Sequence, residues 1–265
     1  MSKNYENGII TSGPTDVSND IEITGVAYFV NSVTGSDSNA GTNQNKPKAT
    51  LCGASGAYSV ATANNGDVII IDADHTETLT SSFAFSKAGI RVYGLGSGSS
   101  KPLFTGTTAI DMFDLTAARN WIYNLRFPIW TTVTNTARVN VAATGCGLVD
   151  CDFLLGANDL NAVTLTATGL DFTMEGCTAT ISANGPDSGI VIESAAALGL
   201  KIINCSFDEG EFNFDNAAVY STVAHTEFFY KDITLLNEAH IIHTAAAKGI
   251  CTGTVMSDGS RLQLG

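Results

Sequence analysis

A phrase of about eight residues recurs along this chain, and its clearest copy is Cys146-Gly-Leu148-Val-Asp150-Cys151-Asp-Phe153. Apolar side chains stand at its first and third positions, an Asp follows alone, and apolar positions then resume two apart. Alternation with period two marks a strand whose side chains point to opposite faces. A phase break at one residue means that the chain bends there and keeps the same face inward on both sides. A bend built on one left-handed residue selects Asn, Asp and Gly, which tolerate that backbone best.

The phrase returns as Asn120, Ile122, bend Asn124, Leu125, Phe127, and as Phe172, Met174, bend Gly176, Cys177, Ala179. It returns again as Leu200, Ile202, bend Asn204, Cys205, Phe207, and as Phe228, Tyr230, bend Asp232, Ile233, Leu235. Weaker copies bend at Asp72 and Gly94 before these and at Thr252 after them. Successive bends lie 20 to 30 residues apart. A further short strand precedes several units, at Val139 and Val141, Val163 and Leu165, Ile190 and Ile192, and Ala217 to Tyr220, which makes about three strands per coil. Strands repeating at such a period without an amphipathic helix point to a solenoid whose rungs bury one another's inward faces.

On these residues the chain resembles the right-handed parallel β-helix of pectate-lyase-like proteins, in which an Asn-rich bend separates the second and third sheets; the resemblance covers roughly residues 28–258. The expected fold class is all-β, a right-handed parallel β-helix solenoid with about three short strands per coil, an N-terminal arm and a helical cap. The expected divisions are an arm at 1–25, a first strand, Gly/Ser/Asp loop and capping helix at 26–63, and the β-helix body at 64–265. An antiparallel β-sandwich also gives short strands at regular spacing. It does not explain why the phase break keeps landing on a residue tolerant of left-handed backbone, or why Asn-Gly hairpin turns are scarce.

The opening Tyr28-Phe-Val30-Asn-Ser-Val-Thr-Gly35-Ser-Asp37-Ser-Asn39-Ala-Gly41-Thr42, with the helix-like stretch 54–63 after it, is similar to the start of many bacterial and phage β-helix proteins. Its oxygen-rich loop offers Ser36, Asp37 and Asn39 as a calcium set, although turn formers in a cap need no metal. Residues 1–25 offer Ile9, Ile10, Ile21 and Ile23 as apolar anchors. They read either as a disordered terminus or as an arm docking on a neighbouring subunit.

Thirteen Lys and Arg against 26 Asp and Glu give a formal net charge of −13, with no basic cluster, which argues against nucleic-acid binding. No stretch has the length of a signal peptide or a membrane span, so neither secretion nor a membrane role is expected. Of the six Cys, those at 146, 151, 177 and 205 fall on inward positions. They read as stacked free thiols, with disulfides as the alternative, and free thiols imply folding in a reducing cytoplasm.

Pectate lyases use calcium held by Asp residues and an Arg base, and polygalacturonase-type relatives use Asn-Thr-Asp, Asp-Asp, Gly-His-Gly and Arg-Ile-Lys motifs. Here Arg119-Asn-Trp121-Ile122-Tyr123-Asn124-Leu125 is similar to the rung language of the lyases, but Tyr123-Asn124 stands where their motif has Asp-His. The four polygalacturonase motifs are missing from the sequence. The remaining acid cluster is Asp208-Glu209-Gly-Glu211-Phe-Asn-Phe-Asp215, which reads first as a solvated turn in a chain with a twofold acidic excess, with Asp208, Glu211 and Asp215 as the candidate acids should it cleave a glycoside. Asp111 and Asp114 read the same way. His240-Ile-Ile-His243 has metal spacing only on a helix, and a strand would point the two histidines to opposite sides. Trp130 and Phe212 are candidate contacts for another chain or for a sugar ring.

The expected role is a non-catalytic structural protein of a bacteriophage virion: a capsid-decorating, fibre or tail-associated subunit, assembled in the host cytoplasm. It is expected to form a homotrimer and to meet a capsid or tail protein through its arm, with no cofactor. A carbohydrate-active enzyme, such as a phage depolymerase or polysaccharide lyase, and a non-catalytic glycan-binding adhesin are the alternatives.

Overall fold

The computed structural model describes residues 23–256 apart from 108–109, 130–134, 158, 167–169, 183–185, 187, 194–197, 210–216, 222, 224–225, 238, 240, 244–247 and 254. The chain winds as a right-handed parallel β-helix with three sheets per coil. The first sheet runs in order through Ala27–Val30, Val68–Ile71, Arg91–Gly94, Trp121–Tyr123, Gly147–Val149, Thr173–Glu175, Lys201–Ile203, Thr226–Lys231 and Lys248–Thr252. The second stacks Thr76–Leu79, Leu103–Gly106, Arg126–Phe127, Asp152–Leu155, Thr178–Ile181, Ser206–Asp208, Thr234–Leu236 and Val255–Met256. The third stacks Phe83–Ala84, Phe113–Leu115, Asn135–Val141, Asp159–Leu165, Ser188–Ile192, Ala217–Ser221 and Ile241–His243. Each strand pairs in parallel with the equivalent strand of the coils before and after it, so the sandwich alternative is set aside.

Register turns the alternation of the sequence into columns. In the first sheet Tyr28, Ile69, Val92, Ile122, Leu148, Met174, Ile202 and Tyr230 lie one above another and are buried. In the second, Phe127, Phe153, Ala179, Phe207 and Leu235 do the same, and the rings of Phe127 and Phe153 stack at 4.8 Å. Phe113, Val139, Val163, Ile190 and Val219 complete the core from the third. Each fully buried Leu, Ile or Phe contributes roughly 1.5–3 kcal/mol, and the columns repeat that gain in every coil.

The bends form the expected column. Asn124, Asp150, Gly176, Asn204 and Asp232 all have φ between 51° and 63°. The N–H of each donates to the coil that follows: Asn124 to Val149, Asp150 to Glu175, Gly176 to Ile203, Asn204 to Lys231 and Asp232 to Thr252. Three outer bends differ from the sequence reading. Among the described residues the last bend falls on Gly253, not Thr252, and in the first two coils the left-handed residue is Asp74 and Gly96 instead of Asp72 and Gly94. Two extra turn residues there move the kink downstream. A second left-handed column, Asn64, Gly89, Arg119, Gly145, Asp171 and Gly199, leads into the first-sheet strands and is linked in the same way, for example Arg119 N–H to Thr144.

The capping helix is shorter than the stretch 54–63 suggests, a single turn at Ala57–Val60. Its Ala57 and Tyr58, with Leu51, cover the end of the core, and Tyr58 meets Phe83 and Phe85 edge to face. The Lys87 ammonium donates to the carbonyls of Tyr58, Ser59 and Ala61, which satisfies acceptors that a one-turn helix leaves open. No helix among the described residues is long and apolar enough to cross a membrane.

Candidate functional site

The cap loop holds the proposed oxygen set, and its side chains are engaged with the chain itself. Asp37 Oδ1 accepts from the backbone N–H of Ala49 and Thr50, and its Oδ2 from the Thr50 hydroxyl at 2.7 Å. Asn39 donates its amide to the Pro47 carbonyl, and the Ser36 hydroxyl bonds that of Ser38. Lys48 Nζ sits at 2.9 Å from the Asp37 carbonyl, which places a cation inside the loop. These bonds pin the loop across the first coil.

Of the acid cluster, the structure describes Asp208 and Glu209; Glu211, Phe212 and Asp215 lie outside the described residues. Asp208 ends a second-sheet strand, and its Oδ1 accepts from the Asn237 amide at 2.6 Å. Asp111 accepts the Ala137 N–H, and Asp114 accepts the Asn140 amide. Burial pushes the Asp114 carboxyl above the usual carboxylate range, against the Asn140 bond that favours its charged form. Ile9, Ile10, Ile21, Trp130 and His240 also lie outside the described residues, while Ile23 packs against a cluster built on Phe29, Val68 and Ile70. His243 ends the strand Ile241–His243. Among the described residues there is no group of three or more His, Cys, Asp or Glu able to hold a metal.

Three arrangements were not foreseen. The first is at the cap, where Glu77 occupies an inward second-sheet position beneath Phe104. Its carboxylate accepts the backbone N–H of Leu51 and Cys52 at 2.8 and 2.9 Å, and His75 Nε2 lies 3.4 Å away. Burial, reinforced by the Glu77 charge and its hydrogen bond, raises the Cys52 thiol well above the ordinary range. The second is an ion pair inside the wall, Arg138 to Asp159 at 2.8 Å, with both side chains at most 1% exposed. Arg138 also donates to the Pro128 carbonyl, and the Gly156 N–H donates to Asp159, so the pair ties together two turns that leave the second sheet. Desolvation pulls Arg138 down to about 10, opposed by Asp159, which leaves it cationic at neutral pH.

The third arrangement is an aromatic ledge on the outer face of the first sheet. Val92 and Ile122 point into the core, so Arg91, Tyr93, Trp121 and Tyr123 point out. Tyr93 and Tyr123 stack at 4.2 Å with their planes 8° apart, and Trp121 lies 6.1 Å from Tyr123, tilted by 22°. Gly147 is the partner of Trp121 in the next coil, and a Cβ there would meet the indole at 2.5 Å. Glycine at this position gives the ring its place. Burial raises the Tyr123 hydroxyl above the ordinary range, helped by the adjoining Tyr93 and Glu175 and opposed by Arg91. The signal for the ledge was present in Arg91-Val92-Tyr93 and Trp121-Ile122-Tyr123, where the core phase leaves aromatic residues on the outside.

The core also bears out the inward thiols. Cys146, Cys151, Cys177 and Cys205 are buried and free, each a donor to backbone carbonyls, as Cys177 is to Leu148 and Glu175.

By its fold the chain is a parallel β-helix protein. No family model and no curated protein sequence matches it. A solved rhamnogalacturonan lyase is similar, with 15% identity, 82% of this chain and 75% of that chain covered, and a TM-score of 0.44. At that level no activity is carried over.

Proposed function

We propose that this chain is a non-catalytic structural subunit of a bacteriophage particle. In this reading it is a capsid-decorating, fibre or tail-associated β-helix that assembles as a homotrimer and meets a capsid or tail protein through residues 1–25. The observation that carries the reading is the core column Cys151, Cys177 and Cys205. These are three unbridged thiols in successive coils, near enough that the Cys151 N–H donates to Cys177 Sγ at 3.4 Å and that burial, together with both neighbouring thiols, raises the Cys177 thiol. In an oxidising compartment neighbouring thiols pair during folding, whereas a reducing cytoplasm keeps them free. Virions are built in the host cytoplasm, and secreted polysaccharide-degrading enzymes are not. The uninterrupted ladders of three sheets support the same reading, since they make a stiff spacer.

Two measurements test it. Mass spectrometry of density-gradient-purified particles from a host carrying the gene should find the chain as a stoichiometric component, and its absence from those particles would refute the role. Light scattering of the purified chain should give three times its 27.6 kDa mass. A monomer mass would remove the trimer.

A further inference from the structure

We propose that the ledge formed by Tyr93, Trp121 and Tyr123 is a binding site for a neutral glycan, with a pyranose ring stacked on the Trp121 indole. This goes beyond a structural role, and no sequence motif for sugar binding points to it.

Three large aromatic side chains occupy outward positions on two adjacent coils of the first sheet, each half-buried. The three ring planes are nearly parallel: Tyr93 and Tyr123 lie face to face, Trp121 stands beside Tyr123, and these contacts fix the rings without any partner. Rings held before a ligand arrives cost little ordering on binding. Gly147 keeps the next coil from filling the space that the indole uses.

The surroundings are polar in a particular order. Along the Trp121 ladder the outward positions continue as Gly147, Thr173 and Lys201, and along the Tyr123 ladder as Val149 and Glu175. Coils are spaced by about 4.8 Å, so the Thr173 hydroxyl and Glu175 carboxylate stand about 10 Å from the rings along the axis. Two linked sugar residues span a gap of that order. A pyranose has an apolar face of C–H groups and an equator of hydroxyls, which suits an aromatic slab with a hydroxyl, a carboxylate and ammonium or guanidinium groups at its edges. Nucleic-acid bases would stack on the same rings, but a chain with net charge −13 repels a phosphate backbone, and it repels polyanionic sugars for the same reason.

The test uses the full chain with cellohexaose, maltohexaose, laminarihexaose and chitohexaose, each at about 5 mM, a concentration that detects millimolar affinities. Calorimetry and tryptophan fluorescence are the readouts. At least one oligosaccharide is expected to bind and to change the emission. Trp121→Ala should weaken that binding at least about tenfold. Gly147→Val, which keeps the indole but displaces it, should weaken it similarly, and both variants should keep the wild-type far-ultraviolet dichroism. Glu175→Gln should leave the stacking contact and produce a smaller loss than either. No binding by any of the four sugars, or binding unchanged by Trp121→Ala, overturns the proposal. So does light scattering in which Trp121→Ala dissociates an oligomer, because the ledge would then be a contact between copies of this chain.

Discussion

Replacing Gly176 by Ala tests the bend column at a position that both the backbone and a neighbouring side chain reserve for glycine. Gly176 has φ +63°, and a Cβ built on it would press into Asp150 Oδ1 of the preceding coil. A left-handed backbone costs an L-residue roughly 1–2 kcal/mol. Moving the Asp150 side chain away from its rotamer adds about 0.5–1.5 kcal/mol. Gly176→Ala should therefore lower stability by about 2–3 kcal/mol, a large loss for one methyl group. The two contributions separate in the background of Asp150→Gly, which also accepts the left-handed backbone but has no carboxylate to displace. There the same substitution should cost only about 1–2 kcal/mol, giving a coupling near 1 kcal/mol between the two sites. Equilibrium urea unfolding followed by far-ultraviolet dichroism measures all four variants, with a shared m-value confirming the same unfolding. A cost below about 0.5 kcal/mol, or an equal cost in both backgrounds, would refute the reasoning.

Three further outcomes are expected. Phe153→Ala empties a fully buried place in the phenylalanine column and should cost about 3–5 kcal/mol, whereas Glu175→Gln on the exposed face should stay within about 0.5 kcal/mol; urea midpoints in the reverse order would invalidate the inside and outside assignment. Asp159→Asn strands the buried Arg138 and should cost about 3–5 kcal/mol, and the double variant Arg138→Met, Asp159→Leu should recover most of that in thermal unfolding; no recovery would mean that the pair itself holds the turns. Burial pushes the Cys177 thiol well above its ordinary value, so its thiolate fraction at pH 8 is small in the folded state, and native labelling by iodoacetamide should be far slower than in urea and should rise with pH; equal rates would mean that the column is open to solvent.

The solenoid was legible because its defining device is local. A phase break beside Asn124, Asp150 or Asn204 shows in eight residues of sequence, and parallel pairing then brings such breaks into register. The first coils were harder. At Asp72 and Gly94 the apolar run stops in the expected place, but the turn carries two more residues before the left-handed Asp74 and Gly96. The second left-handed column escaped because it follows no alternation and includes Arg119, a residue type that does not advertise that backbone. Glu77 escaped for a different reason: its carboxylate serves backbone donors 25 and 26 residues away, and such long-range pairing leaves no spacing to read. The aromatic ledge was visible as residues and invisible as a surface, because Trp121 in a rung-like phrase reads as rung and not as outer face. Of the acids singled out beforehand, Asp208 proves to be held by Asn237 on the side of the second sheet.

The stacked kinks also make the length of this molecule quantised. Val149 and Gly176 flank one whole turn of the winding, and excising residues 150–175 would join them into Cys146, Leu148, Gly176, Cys177, Ala179, the same phrase on a shorter rod. Excising half as many would bring every later rung back out of step with its neighbour. Growth or shrinkage by complete windings is thus the one change of size that leaves all remaining hydrogen bonds with equivalent partners, and it offers a ready route to tailor the reach of the protein.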